Sequence, residues 1–205
     1  FGTVTPTYLF GPCATGVYEI PAAYTNVKAV YTNTAPVDAY RGAGRPEATY
    51  TIERLVEKAS MELGIDKTEL RIKNFPTAFP FKQTLVHTVD SGDYVAGMEK
   101  AKQMADYKGF EARRKESEAK GKLRGIGVTS YFEACGIAPS AAVMSLGCGV
   151  GLWESAEVRF NPTGQVTVYT GSHSHGQSHQ TTFAQIAADE LGVPIENIDI
   201  VHGDT

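Results

Sequence analysis

A glycine-rich stretch, AYRGAGRPE at residues 39–47, decides how the first half of the chain is interpreted. Pro46 suits the first position of a helix, because its ring fixes a helical φ, and Glu47 suits the first turn. Gly64 is a favourable stop. Between them, apolar residues recur at helical spacing, at Ile52, Leu55, Val56, Ala59 and Leu63. The stretch therefore predicts a tight turn that opens onto a long amphipathic helix.

Short-range signals predict further elements on both sides of this helix. Residues 17–20 and 27–32 are rich in Tyr, Val and Thr, which is typical of strands. Asp66, with Glu69 three positions later, predicts the start of a second helix, and Ser91 predicts the cap of a third. An extended loop is predicted at residues 74–89, a solvated charged run at 111–124 and a strand at 125–135. A Gly-rich loop is predicted at 141–151, a hairpin at 153–170, a helix at 179–191 and a final strand at 198–201.

These elements predict an α+β fold, with mixed sheets and packed helices. The character of the sequence changes near residue 120, which predicts two α+β units, 1–120 and 121–205. The chain begins at Phe1 and stops directly after a predicted strand, so we expect an internal piece of a longer subunit.

Composition and charge narrow the class of protein. Hydrophobic residues make up 42% and charged residues 20%, as in ordinary globular proteins. A formal net charge of -4 gives no basis for nucleic-acid binding, and no apolar run reaches the roughly 18 residues that a membrane helix needs. The 3 cysteines form no CxxC pair, which predicts reduced thiols in a cytoplasmic protein rather than a zinc or iron–sulfur site.

The first of two candidate loops covers residues 41–46. Two glycines allow a close backbone approach to a ligand. Arg41 and Arg45 bring fixed forks of donors to a helix start, where unpaired amides favour an anion. The alternative interpretation is a tight strand-to-helix turn with surface arginines.

The second candidate loop covers residues 171–179, between a predicted strand and a predicted helix. Its glycines and serine have the spacing of a P-loop, but Gln177 stands where a nucleoside triphosphatase needs lysine. Glutamine suits neutral, directional hydrogen bonding. Together with the amides of Thr181 and Thr182, the loop suits a phosphate-bearing organic cofactor. An ordinary polar loop is the alternative.

Three histidines in this loop, His173, His175 and His179, raise the question of a metal site. Neither a cysteine nor a carboxylate close by in sequence completes a zinc ligand set, so the sequence predicts no metal bound by these side chains.

Two runs resemble a single enzyme family. AYRGAGRPEA at residues 39–48 is similar to the active-site signature of the large subunits of form II aerobic carbon monoxide dehydrogenase-like enzymes, in the xanthine dehydrogenase and aldehyde oxidase superfamily. GQSHQTTFAQ at residues 176–185 is similar to that family's Gly-Gln-Gly-His cofactor loop. The resemblance covers nearly the whole chain.

The resemblance implies a molybdenum hydroxylase that oxidises an aldehyde, an N-heterocycle or a related small substrate, with water as the oxygen source. It also implies molybdenum on molybdopterin cytosine dinucleotide, an iron–sulfur small subunit with 2Fe–2S clusters, an FAD-binding medium subunit, and a dimer of heterotrimers. Arg41 matches a substrate-facing catalytic arginine. The residues that match cofactor-binding positions are Gly42, Ala43, Gly44, Gly176, Gln177, Ser178, His179, Thr181 and Thr182.

Departures from the family pattern limit what the resemblance implies. Gly42 stands where the carbon monoxide enzymes carry a copper-binding cysteine, so copper-dependent CO oxidation is not expected. Ser178 replaces a usual glycine and Gln180 a usual glutamate. The family's general-base glutamate lies beyond this stretch, so the piece alone is expected to be inactive. Two alternatives stay open: a scaffold module of the same fold without the cofactor, and a P-loop-like nucleotide binder.

Overall fold

The computed structural model describes residues 4–133 and 154–203, together with residues 141 and 144. The chain divides into two compact units, unit 1 up to residue 133 and unit 2 beyond it. Both contain helices and small sheets, which confirms the α+β class. Most of the predicted loop 141–151 and the first residue of the predicted hairpin lie outside the described residues, although residues 141 and 144 are helical.

Unit 1 is mainly helical. Its α-helices, in chain order, are α1 (Val4–Phe10), α2 (Arg45–Leu63), α3 (Lys67–Lys73), α4 (Tyr94–Met104) and α5 (Phe110–Ala119). Short 3-10 turns cover Gly11–Cys13 and Tyr107–Gly109. The predicted loop at residues 74–89 contains a small antiparallel hairpin of β1 (Phe81–Lys82) and β2 (Thr88–Val89).

Local end signals set most helix boundaries as predicted. α2 begins after Gly44 and ends before Gly64, and both glycines have left-handed backbones. Asp66 caps α3, since its carboxylate accepts from two first-turn amides at 2.8 and 3.2 Å. The predicted Ser91 cap is wrong, because Asp93 caps α4 by accepting from a first-turn amide at 2.9 Å.

The strands predicted at residues 17–20 and 27–32 are wrong, and residues 125–133 form no strand either. Val17 lies in a buried turn, while residues 27–32 are exposed. A strand is stabilised by a neighbouring backbone as well as by its side chains. None of these segments pairs with another strand in the described part of the chain.

The core of unit 1 is apolar and aromatic. Tyr18 and Phe75 stack with ring centroids 5.8 Å apart, and Met98 is buried beside them. α2 contributes only part of the predicted face to this core. Ile52 and Val56 pack against the core as predicted, but Leu55 and Leu63 are 59% and 64% exposed, and the polar Glu53 is buried instead.

Unit 2 contains a mixed sheet in the order β3-β4-β5, with β3 (Ala156–Phe160), β4 (Val166–Thr170) and β5 (Ile198–His202). β3 and β4 form the predicted hairpin, and β4 and β5 run parallel. Helix α6 (His179–Leu191) connects the parallel strands, as the longer crossover between such strands requires. The small residues Ala184, Ala187 and Ala188 of α6 pack on the sheet, whereas Ile186 is 60% exposed.

No helix within residues 4–133 or 154–203 combines the length and the apolar character needed to cross a lipid bilayer.

Candidate functional site

The Arg41 turn, defined as residues 40–45, is built from three consecutive left-handed residues. Gly42, Ala43 and Gly44 have φ values of 104°, 45° and 99°. The turn is closed by two backbone hydrogen bonds, Ala43 N to Tyr40 O at 2.7 Å and Arg45 N to Gly42 O at 3.1 Å. A left-handed alanine is strained, and such strain is more common at functional turns than elsewhere.

Both glycines of this turn are required by contacts within the chain. A Cβ atom at Gly42 would lie 2.5 Å from Cγ of Pro46, and one at Gly44 would lie 2.9 Å from the carbonyl carbon of Pro6 in α1. Real Cβ atoms do not approach so closely. The glycines therefore let the turn pass its own helix start and α1, whatever ligand the turn also meets.

The two arginines of the turn point to different surroundings. Arg41 is exposed. The Arg45 side chain is only 12% exposed, and its Nη1 lies 2.9 Å from Glu133 Oε1. The prediction that both arginines present donors outward is therefore wrong for Arg45, because it is engaged by a carboxylate distant in sequence. The sequence around Arg45 gave no indication of its ion pair with Glu133.

A neutral pair lies beside Arg45. Cys13 Sγ is 3.5 Å from His87 Nε2. Burial raises the pKa of the Cys13 thiol, while burial and the Arg45 charge lower the pKa of His87. Both groups are therefore uncharged at neutral pH, and the pair has no reactive thiolate.

The cofactor loop, defined as residues 171–178, follows β4 and precedes α6. Thr170 pairs with His202 across the parallel strands, so the loop lies at their shared carboxyl edge. In sheets with parallel strands, ligands bind most often at this edge, where a helix start also presents unpaired amides. The local signals that predicted a strand, a polar loop and a helix are confirmed.

Two predicted side chains brace the cofactor loop from within. The Gln177 side chain accepts a hydrogen bond from His175 N, and its Nε2 lies 3.5 Å from His173 O. His179 Nδ1 lies 3.2 Å from Ser172 O, and its ring stacks on a phenylalanine of α6 at 4.6 Å. In this structure, Gln177 and His179 therefore set the shape of the loop.

Ser178 occupies a position suited to glycine. It precedes α6 with φ 63° and ψ 40°, in the left-handed region. The amides of Thr181 and Thr182 both donate to Ser178 O at 3.0 Å. The prediction that these two amides are available to a phosphate is wrong here, because the first turn of the helix already uses them. The serine nevertheless preserves the backbone shape that the glycine of the family implies.

The sequence did not predict a series of side-chain contacts at the carboxyl edge of the sheet, which links Gln180, His202 and His173. Gln180 Nε2 lies 2.6 Å from His202 Nε2, and His202 Nδ1 lies 3.3 Å from His173 Nδ1. The contact joins α6, β5 and the loop, so no local pattern could reveal it. Across the described residues, no cluster of His, Cys, Asp or Glu has the arrangement of a metal site.

An open apolar cleft of about 580 Å³ lies in unit 1, between α4 and residues 126–131. None of the predicted site residues lines it. This cleft is therefore separate from the lining of both loops, of which Arg41 belongs to unit 1 and Gln177 to unit 2.

Both loops lie within segments that known family models match. Two molybdopterin cofactor-binding domain families match, one over residues 1–75 and the other over residues 100–205. The chain therefore belongs to the molybdopterin-binding large subunits of the xanthine dehydrogenase family of molybdenum hydroxylases.

Individual relatives agree with this family. The chain is 41% identical to the carbon monoxide dehydrogenase large chain of Hydrogenophaga pseudoflava, over 99% of this chain and 26% of the relative. It is 37% identical to the gamma subunit of the 6-hydroxypseudooxynicotine dehydrogenase complex of Paenarthrobacter nicotinovorans, over 98% and 24%. Quinoline 2-oxidoreductase from Pseudomonas putida 86 superposes with a TM-score of 0.84 at 36% identity, over 98% and 26%. The chain thus spans about a quarter of the length of these relatives.

Proposed function

We propose that the whole protein is a molybdenum hydroxylase, in which the cofactor loop contributes to molybdopterin binding and the Arg41 turn contributes to substrate oxidation. The observation that carries the proposal is the cofactor loop, with Gly176 and Ser178 both left-handed directly before a helix start at the carboxyl edge of parallel strands. Such a backbone allows a phosphate-bearing ligand to approach closely. When bound, the molybdenum centre supplies the oxidation that places a water-derived oxygen on the substrate.

The residues of this chain have separate tasks in the proposed site. Arg41 donates to negative charge that develops on the substrate, since its exposed guanidinium follows a strained turn. Gly176 and Ser178 bring the backbone close to the cofactor, and Gln177 and His179 hold that backbone in shape. The hydroxyl of Thr181 and the first amides of α6 complete the polar surface. A rigid, prearranged set of donors is what stabilises charge in a reacting group.

The full assembly follows by analogy with the relatives. We propose molybdopterin cytosine dinucleotide as the cofactor form, and an iron–sulfur small subunit and an FAD-binding medium subunit as partners in a cytoplasmic dimer of heterotrimers. An aldehyde or N-heterocycle is the favoured substrate class, because two of the relatives described above are named for quinoline and a hydroxylated nicotine derivative.

The alternative of a cofactor-less scaffold depended on Ser178 and Gln180. Both residues are accommodated, since Ser178 takes the left-handed conformation and Gln180 contacts His202. The P-loop alternative is weakened because Gln177 folds back onto its own loop. We therefore favour the catalytic proposal over both.

The proposal is tested by purifying the complex from the full-length reading frame together with the adjoining genes. We expect about one molybdenum and one pterin per large subunit, measured by metal analysis and by release of the oxidised pterin as a fluorescent product. An assembled, folded complex without either would reject the proposal.

Introducing the copper-binding residue alone should not create a CO oxidase. In Gly42→Cys, the new Cβ would clash with the Pro46 ring at a backbone φ of 104°, so the turn must move. Copper also needs supporting contacts that a single thiol does not provide. We expect no CO oxidation above background in the copper-loaded complex.

The matched control is Gly42→Cys combined with Pro46→Ala, which removes the clash but adds no copper support. We expect this double variant to be more stable than Gly42→Cys alone, although a cysteine at a φ of 104° stays strained, and still to fail to oxidise CO. Substantial CO turnover by the single variant would contradict the argument.

A further inference from the structure

Arg45 connects the backbone of the Arg41 turn to a distant part of unit 1. Its amide donates to Gly42 O at 3.1 Å, and its guanidinium lies 2.9 Å from Glu133, which is 88 positions away in sequence. Arg45 is also the first residue of α2. A movement of this guanidinium would therefore act directly on the start of the helix that carries the turn.

The ion pair lies in partly desolvated surroundings. The side chains of Arg45 and Glu133 are 12% and 36% exposed. Cys13 and His87, whose titration responds to the Arg45 charge, are both neutral at neutral pH. In the described part of the chain, Nε of Arg45 has no hydrogen-bond partner. Glu133 thus provides charge compensation that the neutral neighbours do not provide, and a largely buried cation without compensation is costly.

The turn has little freedom to absorb a displacement of Arg45. Two backbone hydrogen bonds close the turn, and Gly44 packs against the backbone of α1, so few alternative backbone paths are open to the turn. If Arg45 moved toward water, the movement would be passed to Arg41. Misplacement of a reacting group by about 1 Å can reduce a rate by about 100-fold.

We infer that the Arg45–Glu133 ion pair positions Arg41 for catalysis. Arg45 and Glu133 are positioning residues, since they act through the turn and through Arg41. This inference rests on the proposed function, because it requires Arg41 to act on the substrate.

The test uses the cofactor-loaded, full-length complex and the variant Glu133→Gln, which keeps the shape and an acceptor oxygen but removes the charge. We expect kcat to fall about tenfold, with KM within about twofold of wild type. The matched control is Glu62→Gln, which removes the charge from an exposed ion pair with Lys58 whose side chains are 66% and 70% exposed. The control should leave both constants unchanged.

A double-mutant cycle separates positioning from a general structural role. If Glu133 acts through Arg41, Glu133→Gln should have almost no further effect on kcat in an Arg41→Ala background. Hydrogen exchange gives a readout independent of activity. The amides of Ala43 and Arg45 should exchange about tenfold faster in Glu133→Gln than in Glu62→Gln, because they close the turn.

Three results would each overturn the inference. They are an equal effect of Glu133→Gln on kcat in the wild-type and Arg41→Ala backgrounds, an unchanged kcat in Glu133→Gln, and unchanged hydrogen exchange at the amides of the turn. Should Glu133→Gln fail to assemble, Glu133→Asp replaces it in the same cycle, with an expected loss of about threefold, since the charge remains but the carboxylate is drawn back. A wild-type complex without molybdopterin would reject the proposed function itself. A loaded, active wild type with additive variants would reject only the positioning role.

Discussion

Replacing Arg71 with methionine is expected to lower the free energy of opening of unit 1 by about 4 kcal/mol. Arg71 is fully buried, and its Nε and Nη2 lie 2.9 and 2.8 Å from Glu53 Oε2. Its Nη1 also donates to Lys67 O at 2.9 Å. The pair joins α2 to α3, so the variant leaves the Glu53 carboxylate buried without its cation.

The Glu53 carboxylate has a further partner besides Arg71, which is the hydroxyl of Tyr18. The Tyr18 hydroxyl donates to Glu53 Oε1, and burial raises the pKa of Tyr18, so the hydroxyl remains a donor at every physiological pH. One neutral hydrogen bond does not compensate a buried carboxylate that has lost its cation. The large effect therefore comes from the unpaired charge left behind rather than from the lost contact.

Native-state hydrogen exchange of the α2 amides in the full-length subunit measures this effect. Lys58→Met is the control, since its exposed ion pair should contribute less than about 1 kcal/mol. Adding Glu53→Met to Arg71→Met should recover part of the loss, because the buried Glu53 charge is then removed as well; Glu57, whose Oε2 lies 3.6 Å from Arg71 Nη1, keeps its charge. An effect below about 1 kcal/mol for Arg71→Met would mean that water reaches Glu53 in the native subunit.

Replacing Arg41 with alanine is expected to reduce turnover by about 100- to 1,000-fold, the usual cost of removing one donor to developing negative charge. Stability should change little, because Arg41 is exposed and the backbone bonds of the turn do not require its side chain. Lysine at this position should recover only part of the activity, since it keeps the charge but lacks the planar fork of donors.

The measurement is kcat and KM of the assembled complex on an aldehyde or N-heterocycle that the wild type oxidises, with molybdenum content determined in parallel. Arg54→Ala, at an exposed arginine of α2, is the control and should keep wild-type turnover. Loss of molybdenum or of assembly in Arg41→Ala, with normal turnover per remaining cofactor, would assign Arg41 a structural role instead.

The sequence predicted correctly those features that depend on interactions between residues close in sequence, and it failed where a distant segment decides the structure. The start of α2 within one residue of Pro46, the Asp66 cap, the hairpin in unit 2 and the helix at residues 179–191 were predicted correctly. Each depends on hydrogen bonds or backbone preferences within a few residues. The strands predicted at 17–20 and 27–32 failed because a strand also depends on which segment lies beside it.

The same contrast between local and long-range interactions holds at the Arg41 turn and the cofactor loop. Glycine spacing and family signatures predicted the Arg41 turn and the cofactor loop as candidate sites, and both lie within segments matched by molybdopterin cofactor-binding domain families. They could not indicate that Arg45 turns inward to Glu133, or that Gln180 contacts His202.

By itself, the sequence determined the family, the local shape of both turns and the ends of most helices, because these depend on neighbouring residues and on motifs preserved in order. Only the tertiary structure decided which charged side chains are buried and which partners they meet. Burial brings together residues such as Glu53 and Arg71, and the cost of removing a charge from water then fixes those pairs far more strongly than any local preference can.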